Sequence, residues 1–319
     1  MNYEEITGAS EVRIKVIGVG GGGISAVNHM IASGIQCVVF IAADTDKMTL
    51  ARTRAEHVLQ LGPEYRKGMG AGGDPDVGRR AAEESIPAIK TVIGEADLVF
   101  VVAGMGSGTG SGAAPIIAKI AKEAGALTLG VVTKPFYFQG KKWHVKAKAG
   151  IQALLESGDS TIVIPDDGLI QLAPKKAFLI DWLREADKAM YHAVRGVSDL
   201  LTQQRLIALD FADVQTVLSG KGGAVMGFGA ASGAERAKSA ARQALTIPLL
   251  GTFSVDNARG ALINITSSQD ITIEEIADAA GIIQEAIPGD APIFFSTVFD
   301  ESLCDEMHVT IILSSDTGE

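Results

Sequence analysis

The segment that most constrains this chain runs from Leu98 to Gly112, LVFVVAGMGSGTGSG. Residues 98–103 are apolar throughout, as in a strand buried on both faces. Five glycines and three hydroxyl residues then occupy eight of the nine positions from Gly104 to Gly112, ahead of the helical stretch AAPIIAKIAKEAG. A strand that enters a helix through such a run gathers backbone N–H groups at the positive end of the helix, which makes a cradle for phosphate. Ser107, Thr109 and Ser111 add hydroxyl donors. With no anion to bind, five glycines there cost conformational entropy for no gain in packing.

The surrounding pattern repeats the same unit. A strand over 13–19 runs into Gly20, Gly21, Gly22 and Gly23, and a helix is expected from Ser25. A strand over 36–42 leads to Asp44-Thr45-Asp46, and a glycine-rich loop over 68–78 contains Ala71, Gly72 and Gly73. Strands over 127–133 and 161–164, with a helix over 147–157 between them, continue the alternation. This predicts an α/β fold with a Rossmann-like parallel sheet covered on both faces. From Leu179 a long helix of about 22 residues, ~33 Å, is expected, with Trp182, Leu183, Ala186, Met190, Val194, Val197 and Leu201 at helical spacing. A loop over 206–213, helices over 234–246 and 272–286, and strands near 260–266, 292–299 and 307–313 predict a second α/β domain with a mixed sheet. The expected units are residues 1–178, a central helix 179–203, and 204–319.

Composition narrows the function. Lys+Arg 28 against Asp+Glu 38 gives a net charge of −10, and the pI is about 5.1, which argues against a general nucleic-acid or anionic-membrane binder. Hydrophobic residues at 47% exclude a disordered chain, and no apolar run approaches the ~20 residues of a membrane span. The start, MNYEEITGAS, lacks the pattern of a signal peptide, so a cytoplasmic location is expected. Cys37 and Cys304 make no disulfide framework, and no histidine pair has metal-ligand spacing. Lys141, Lys142, Lys146 and Lys148 read as a solvated basic edge. Gly18, Gly20 and Gly23 satisfy GxGxxG, with Asp44 at the distance of a ribose carboxylate. The second, richer glycine run argues against a dinucleotide enzyme, and the absence of GxxxxGK[ST] excludes the ordinary P-loop.

GMGSGTGSG resembles the signature loop of the tubulin/FtsZ GTPase family. Thr133-Lys134-Pro135-Phe136, IVIP over 162–165, DFADV over 210–214, ASGAERAK over 231–238 and INIT over 263–266 are similar to family motifs in order and spacing. The resemblance spans about residues 13–313. It implies GTP/GDP with Mg2+ held through the phosphates, in a site made by Gly20 to Gly23, Asp44, Ala71 to Gly73, Gly104, Gly106, Ser107, Gly108, Thr109, Gly110, Thr133, Pro135, Gln139, Trp143, Asp166, Leu183 and Asp187. Asp166 and Asp187 would accept from the N1–H and amine of guanine, a match adenine lacks. The resemblance further implies catalytic carboxylates, Asp210 and Asp213, that reach the γ-phosphate on the next copy in a head-to-tail filament.

The chain departs from the family pattern at Ile24-Ser25, at Ser107, at Gln139 and Trp143 where charged residues are usual, at Leu183, and at Arg205 and Ala208. Two readings stand: a filament-forming GTPase that hydrolyses slowly, acting in cell division or a related role, or a divergent paralogue that binds GTP/GDP as an interaction module. The implied partner is the chain itself, with a full-length FtsZ as a second candidate. The end at Glu319 suggests a short form without the family's C-terminal tail.

Overall fold

The computed structural model describes residues 12–164, 178–202, 205–207, 209–220, 222–246, 255–287 and 289–315. Six strands, β1 (Ile14–Val19), β2 (Val38–Asp44), β3 (His57–Gln60), β4 (Leu98–Gly104), β5 (Leu127–Thr133) and β6 (Ser160–Ile164), lie parallel in the order β3-β2-β1-β4-β5-β6. This is the doubly wound order, whose direction of progression reverses between β1 and β4. Helix α1 (Gly20–Ala32) covers one face. A short α2 (Lys47–Leu50), α3 (Pro75–Glu84), α4 (Ile86–Ile93), α5 (Gly108–Glu123) and α6 (Lys141–Ser157) complete the connections. The second core, on the other face, is made by Ile89, Ile93, Ile117, Ile151 and Leu154 from α4, α5 and α6 against Ile17, Val99 and Val101.

Helix α7 (Leu179–Thr202) joins α1 over the first face, where Met190, Val194 and Val197 bury against Val27, Met30 and Leu129. Its 24 residues span about 36 Å. The apolar stripe read from sequence is buried only from Ala186 onward; Leu179 and Leu183, in the first turns, are exposed.

The sheet does not end at β6. Ser160–Ile162 pairs in parallel with the start of β8 (Gly222–Ser232), and the order continues β8-β11-β9-β10-β7, with β7 (Arg205–Ile207), β9 (Gly260–Ser267), β10 (Ile293–Phe299) and β11 (Glu306–Ser315). β11 is antiparallel to both neighbours, so this half is mixed. Helices α8 (Phe211–Leu218), α9 (Arg236–Thr246) and α10 (Ile273–Ala286) pack on it, α9 and α10 enclosing a third core with Ile263, Val309 and Ile311.

Several boundaries differ from the sequence expectation. Helix α1 starts at Gly20 rather than Ser25, and α5 at Gly108, so both glycine runs form first turns of helices as well as loops. β2 starts two residues late, because Cys37 adopts φ 58° and breaks the extended run, and it continues to Asp44. The expected loop over 206–213 contains the end of β7 and the start of α8. β3 and β8 have no counterpart among the expected strands. Phe228, Phe294 and Phe295 are half-buried, whereas Met226 is fully buried.

Candidate nucleotide site

The reversal of strand order places the ends of β1 and β4, and therefore the starts of α1 and α5, side by side, which is where open α/β sheets bind ligands. No side chain caps α1, so the N–H groups of its first turn, Gly21 and Gly22 among them, have no intrahelical acceptor. Gly20 holds φ 73°, and a Cβ there would stand 3.1 Å from the Gly110 nitrogen. Glycine is what lets the two helix starts abut. At α5 the Ser107 hydroxyl accepts from Gly110 N at 3.2 Å and donates to the Gly104 carbonyl at 3.1 Å. Ser111 Oγ accepts from Gly106 N at 2.8 Å. The Gly108 and Thr109 amides, in the first turn, donate to no described residue.

A third wall is the loop before α3. Gly70, Gly72 and Gly73 all have positive φ, and nothing lies within 4 Å of where a Cβ on Gly72 or Gly73 would stand. The N–H groups of Ala71, Gly72 and Gly73 donate to no described residue. The loop is pressed on α5: a Cβ at Gly108 would lie 2.7 Å from Ala71 Cβ. Three sets of unpaired amides thus border one another, a donor set suited to the oxygens of a polyphosphate.

Asp44 braces this cradle. Its carboxylate, 4% exposed, accepts from Thr45 N at 2.6 Å, Asp46 N at 3.2 Å and Thr109 Oγ1 at 3.1 Å, and the Thr45 and Thr109 hydroxyls lie 2.8 Å apart. Burial raises the Asp44 pKa, and these hydrogen bonds oppose the rise. Its bonds tie the end of β2 to the first turn of α5.

At the far end of the groove α7 meets α1. Ser25 Oγ donates to Asp187 Oδ2 at 2.8 Å, and burial pushes the Asp187 carboxyl up to about 6 against the pull of that bond. Leu183, one turn earlier, is exposed; Trp182 turns toward Phe136, ring centroids 6.1 Å apart, and its buried Nε1 has no partner among the described residues. On the β5 side Thr133 O accepts from Met105 N at 3.0 Å. A Cβ on Gly106 would meet the Trp143 ring at 3.1 Å and Pro135 at 3.5 Å, so Trp143 lies across the signature loop. Gln139 Oε1 accepts from Phe136 N at 2.9 Å and holds the turn Tyr137–Gln139. Asp166 and Ala208 lie outside the described residues.

Asp210 and Asp213 stand elsewhere. They cap α8 reciprocally, Asp210 Oδ1 accepting from Asp213 N at 2.8 Å and Asp213 Oδ2 from Asp210 N at 3.0 Å. Fifteen residues of α7 separate Asp187 from Thr202, a rise of about 22 Å, so the acid pair follows the end of α7 remote from Asp187. Four residues outside the expected site join it: Ser25, marked in the sequence only as a departure from the family pattern, through Asp187; Thr45 through Asp44; and Arg66 and Lys146 through the loop before α3, Lys146 being half-buried on that loop rather than part of a solvated edge. Thr45 is legible as a hydroxyl beside Asp44. Ser25 and Lys146 join only when α1, α6 and α7 are packed, and Arg66 only when its own loop turns back to bring the Gly70 carbonyl to it.

A doubly wound sheet with such a cradle at its switch point defines a nucleotide-binding α/β protein. Residues 13–174 match the GTPase domain of the Tubulin/FtsZ family, and residues 222–316 match the FtsZ family C-terminal domain. The chain belongs to the tubulin/FtsZ family. Among solved structures it is similar to an FtsZ dimer from M. jannaschii, at 34% identity and TM-score 0.93 over 99% of this chain and 93% of that one. A tryptophan-to-tyrosine mutant of the M. jannaschii FtsZ is similar at 35% identity and TM-score 0.92, over 98% of this chain and 94% of that one. CetZ2 from Haloferax volcanii, in a GTPγS-bound protofilament, shares the fold at 21% identity and TM-score 0.79, over 96% of this chain and 93% of that one. Among the described residues no helix is long and apolar enough to cross a membrane, and no group of three or more metal-ligating side chains is arranged to hold an ion.

Proposed function

We propose that this chain binds GTP in the cradle formed by Gly20 to Gly23, Ala71 to Gly73 and Gly104 to Gly110, and assembles head to tail into cytoplasmic filaments. Hydrolysis then takes place between copies. The observation that carries this reading is the separation of the two halves of the chemistry: the unpaired amides lie at one end of α7, and Asp210 and Asp213 follow the other. A chain so built cannot bring its own acids to its own phosphates, whereas a heterologous interface between copies can. Asp210 and Asp213 would orient the attacking water, and Mg2+ would be held through the phosphates, since charge neutralisation there is general to phosphoryl transfer. Asp166, Asp187, Leu183, Thr133, Pro135, Gln139 and Trp143 would border base and ribose. Hydrolysis is expected to be slow, because Arg205 and Ala208 replace the residues usual beside the acid pair.

The test is phosphate release against protein concentration with excess GTP. Turnover per chain should rise steeply with concentration; a constant value down to nanomolar protein would mean a site completed within one chain. A second reading, a GTP/GDP-binding interaction module without hydrolysis, draws on the reciprocal capping of Asp210 and Asp213, which already gives both carboxylates a structural task.

A further inference from the structure

The loop before α3 is held by two cations that the site as proposed does not use. Arg66 Nε donates to the Gly70 carbonyl at 2.7 Å, and Lys146 Nζ, reaching across from α6, donates to the Gly73 carbonyl. Both bonds are partly buried, and they grip the loop at its two ends, with the free amides of Ala71, Gly72 and Gly73 between them. Neither cation has an acidic partner: Arg66 and Lys146 form no ion pair among the described residues.

This arrangement has three physical consequences. A loop with three residues at positive φ, two of them glycines facing open space, has little steric definition of its own, so its position depends on these tethers. A carbonyl that accepts from a cation is polarised, and the amide of the same peptide becomes a stronger donor; for Gly70 that amide is Ala71 N–H. Two cations with no direct ion pair among the described residues, beside amides with no described acceptor, also favour a highly charged anionic ligand. Lys146 lies one helical turn beyond Trp143, so on α6 a cation stands three residues along from the aromatic side chain that covers Gly106.

We infer that Arg66 and Lys146 are positioning residues for the terminal phosphate, and that through the loop 70–73 they make this site discriminate a nucleoside triphosphate from a diphosphate. The inference rests on the proposed reading of the site as a GTP site. Asp187, beside Ser25, marks the base end of the groove, and the loop pressed against Gly108 lies on the far side of the two helix starts. A ligand that spans both therefore presents its last phosphate to the loop.

Equilibrium binding of GTPγS and of GDP, measured by calorimetry on the full chain and on Lys146→Met, Lys146→Arg and Arg66→Gln, tests this. Lys146→Met should weaken GTPγS about tenfold or more while changing GDP less than about twofold, since the loop that Lys146 holds through the Gly73 carbonyl would meet only the third phosphate. Lys146→Arg should restore the GTPγS:GDP ratio, and Arg66→Gln should lower it. Loss of affinity for both nucleotides in equal proportion, or an unchanged ratio in both Lys146→Met and Arg66→Gln, would overturn the inference while leaving the GTP site standing. If the unmodified chain binds neither nucleotide, the reading of the site fails and the inference with it.

Discussion

Asp187 is the residue whose ionisation links the site to pH. In the folded chain burial holds its carboxyl at about 6, above the roughly 3.9 of an exposed aspartate. Between those values the folded chain keeps a proton that the unfolded chain releases, so the stability this group contributes is present at low pH and is lost as pH rises through 6. Above pH 6 the charge is retained at a cost to the fold, as is usual of a group kept for binding. Asp187→Asn is therefore expected to raise Tm at pH 7.5 by about 2 °C or more, and to lose the preference for GTP over ATP in a competition titration. Ser25→Ala removes the bond that opposes the rise. GTP affinity in that variant should fall away on acidification at a higher pH than in the unmodified chain, measured as Kd from pH 5 to 8 at fixed ionic strength. Coincident midpoints would detach Asp187 from base recognition. Asp187 itself is legible by resemblance, whereas its partner Ser25 stands out only as a departure from the family pattern. No spacing rule connects residues 162 positions apart until α1 and α7 are packed together.

Two elements carry predictions of their own. Helix α8 begins in a box closed by Asp210 and Asp213, so replacing either by alanine removes a cap worth about 1 kcal/mol and confounds any kinetic effect. Asp213→Asn keeps an oxygen for the Asp210 amide while removing the charge. It should hold Tm and GTP binding near those of the unmodified chain and lower turnover by about 10² or more; brisk turnover would leave the pair as caps alone. Helix α7 meets the mixed half of the sheet through His192, stacked on Phe228 of β8 at 4.1 Å, with His308 of β11 edge-on to the same ring at 5.2 Å. Burial, with His308, Arg195, His29 and Lys188 adding repulsion, pushes His192 down to about 4. The unfolded chain thus binds the extra proton between about pH 4 and 6.5, and stability falls as pH falls through that window, opposite in sign to Asp187. Over about pH 4 to 6 the two slopes nearly cancel, so single variants should expose them: His192→Phe should leave Tm less sensitive to acid, and Asp187→Asn more so. Elements rich in glycine and alanine are the hardest to foresee. β8 reads GGAVMGFGAAS, with Val225 as its one β-branched residue and glycine and alanine at most other positions, because α9 lies directly on it: a Cβ at Gly227 would come within 1.8 Å of the Ala244 carbonyl. The first turns of α1 and α5 are hidden for a related reason, since glycine is a poor helix former and these turns are shaped by close approach rather than propensity.

At the scale of the whole molecule, one sheet runs from β3 to β7, and the junction of its two halves is three paired positions between β6 and β8 together with the length of α7. The sequence pattern separates these halves, because the change from alternating strands and helices to a single long helix is a change of period; it carries no sign that their sheets are continuous, since β8 is invisible to it. This frame fixes the distance between the cradle and the acid pair, and the distance makes a prediction that no point variant alone can test. A chain with an intact cradle and no acid function is Asp213→Asn. A chain with intact acids and a blocked cradle is Gly21→Asp: the position is open, with only Thr49 as near as 3.9 Å to an added Cβ, and an acidic residue in the first turn of α1 suits the helix dipole while repelling phosphate. Neither variant alone should release phosphate. Mixed in equal amounts and copelleted with GTP, random head-to-tail assembly joins an intact cradle to an intact acid pair at about one junction in four, so turnover should return to about a quarter of the unmodified rate. A mixture that copellets yet stays silent would mean that the acids act within their own chain or not at all. Recovery requires that they act on the nucleotide of a neighbour, because in this mixture no single chain holds both working halves.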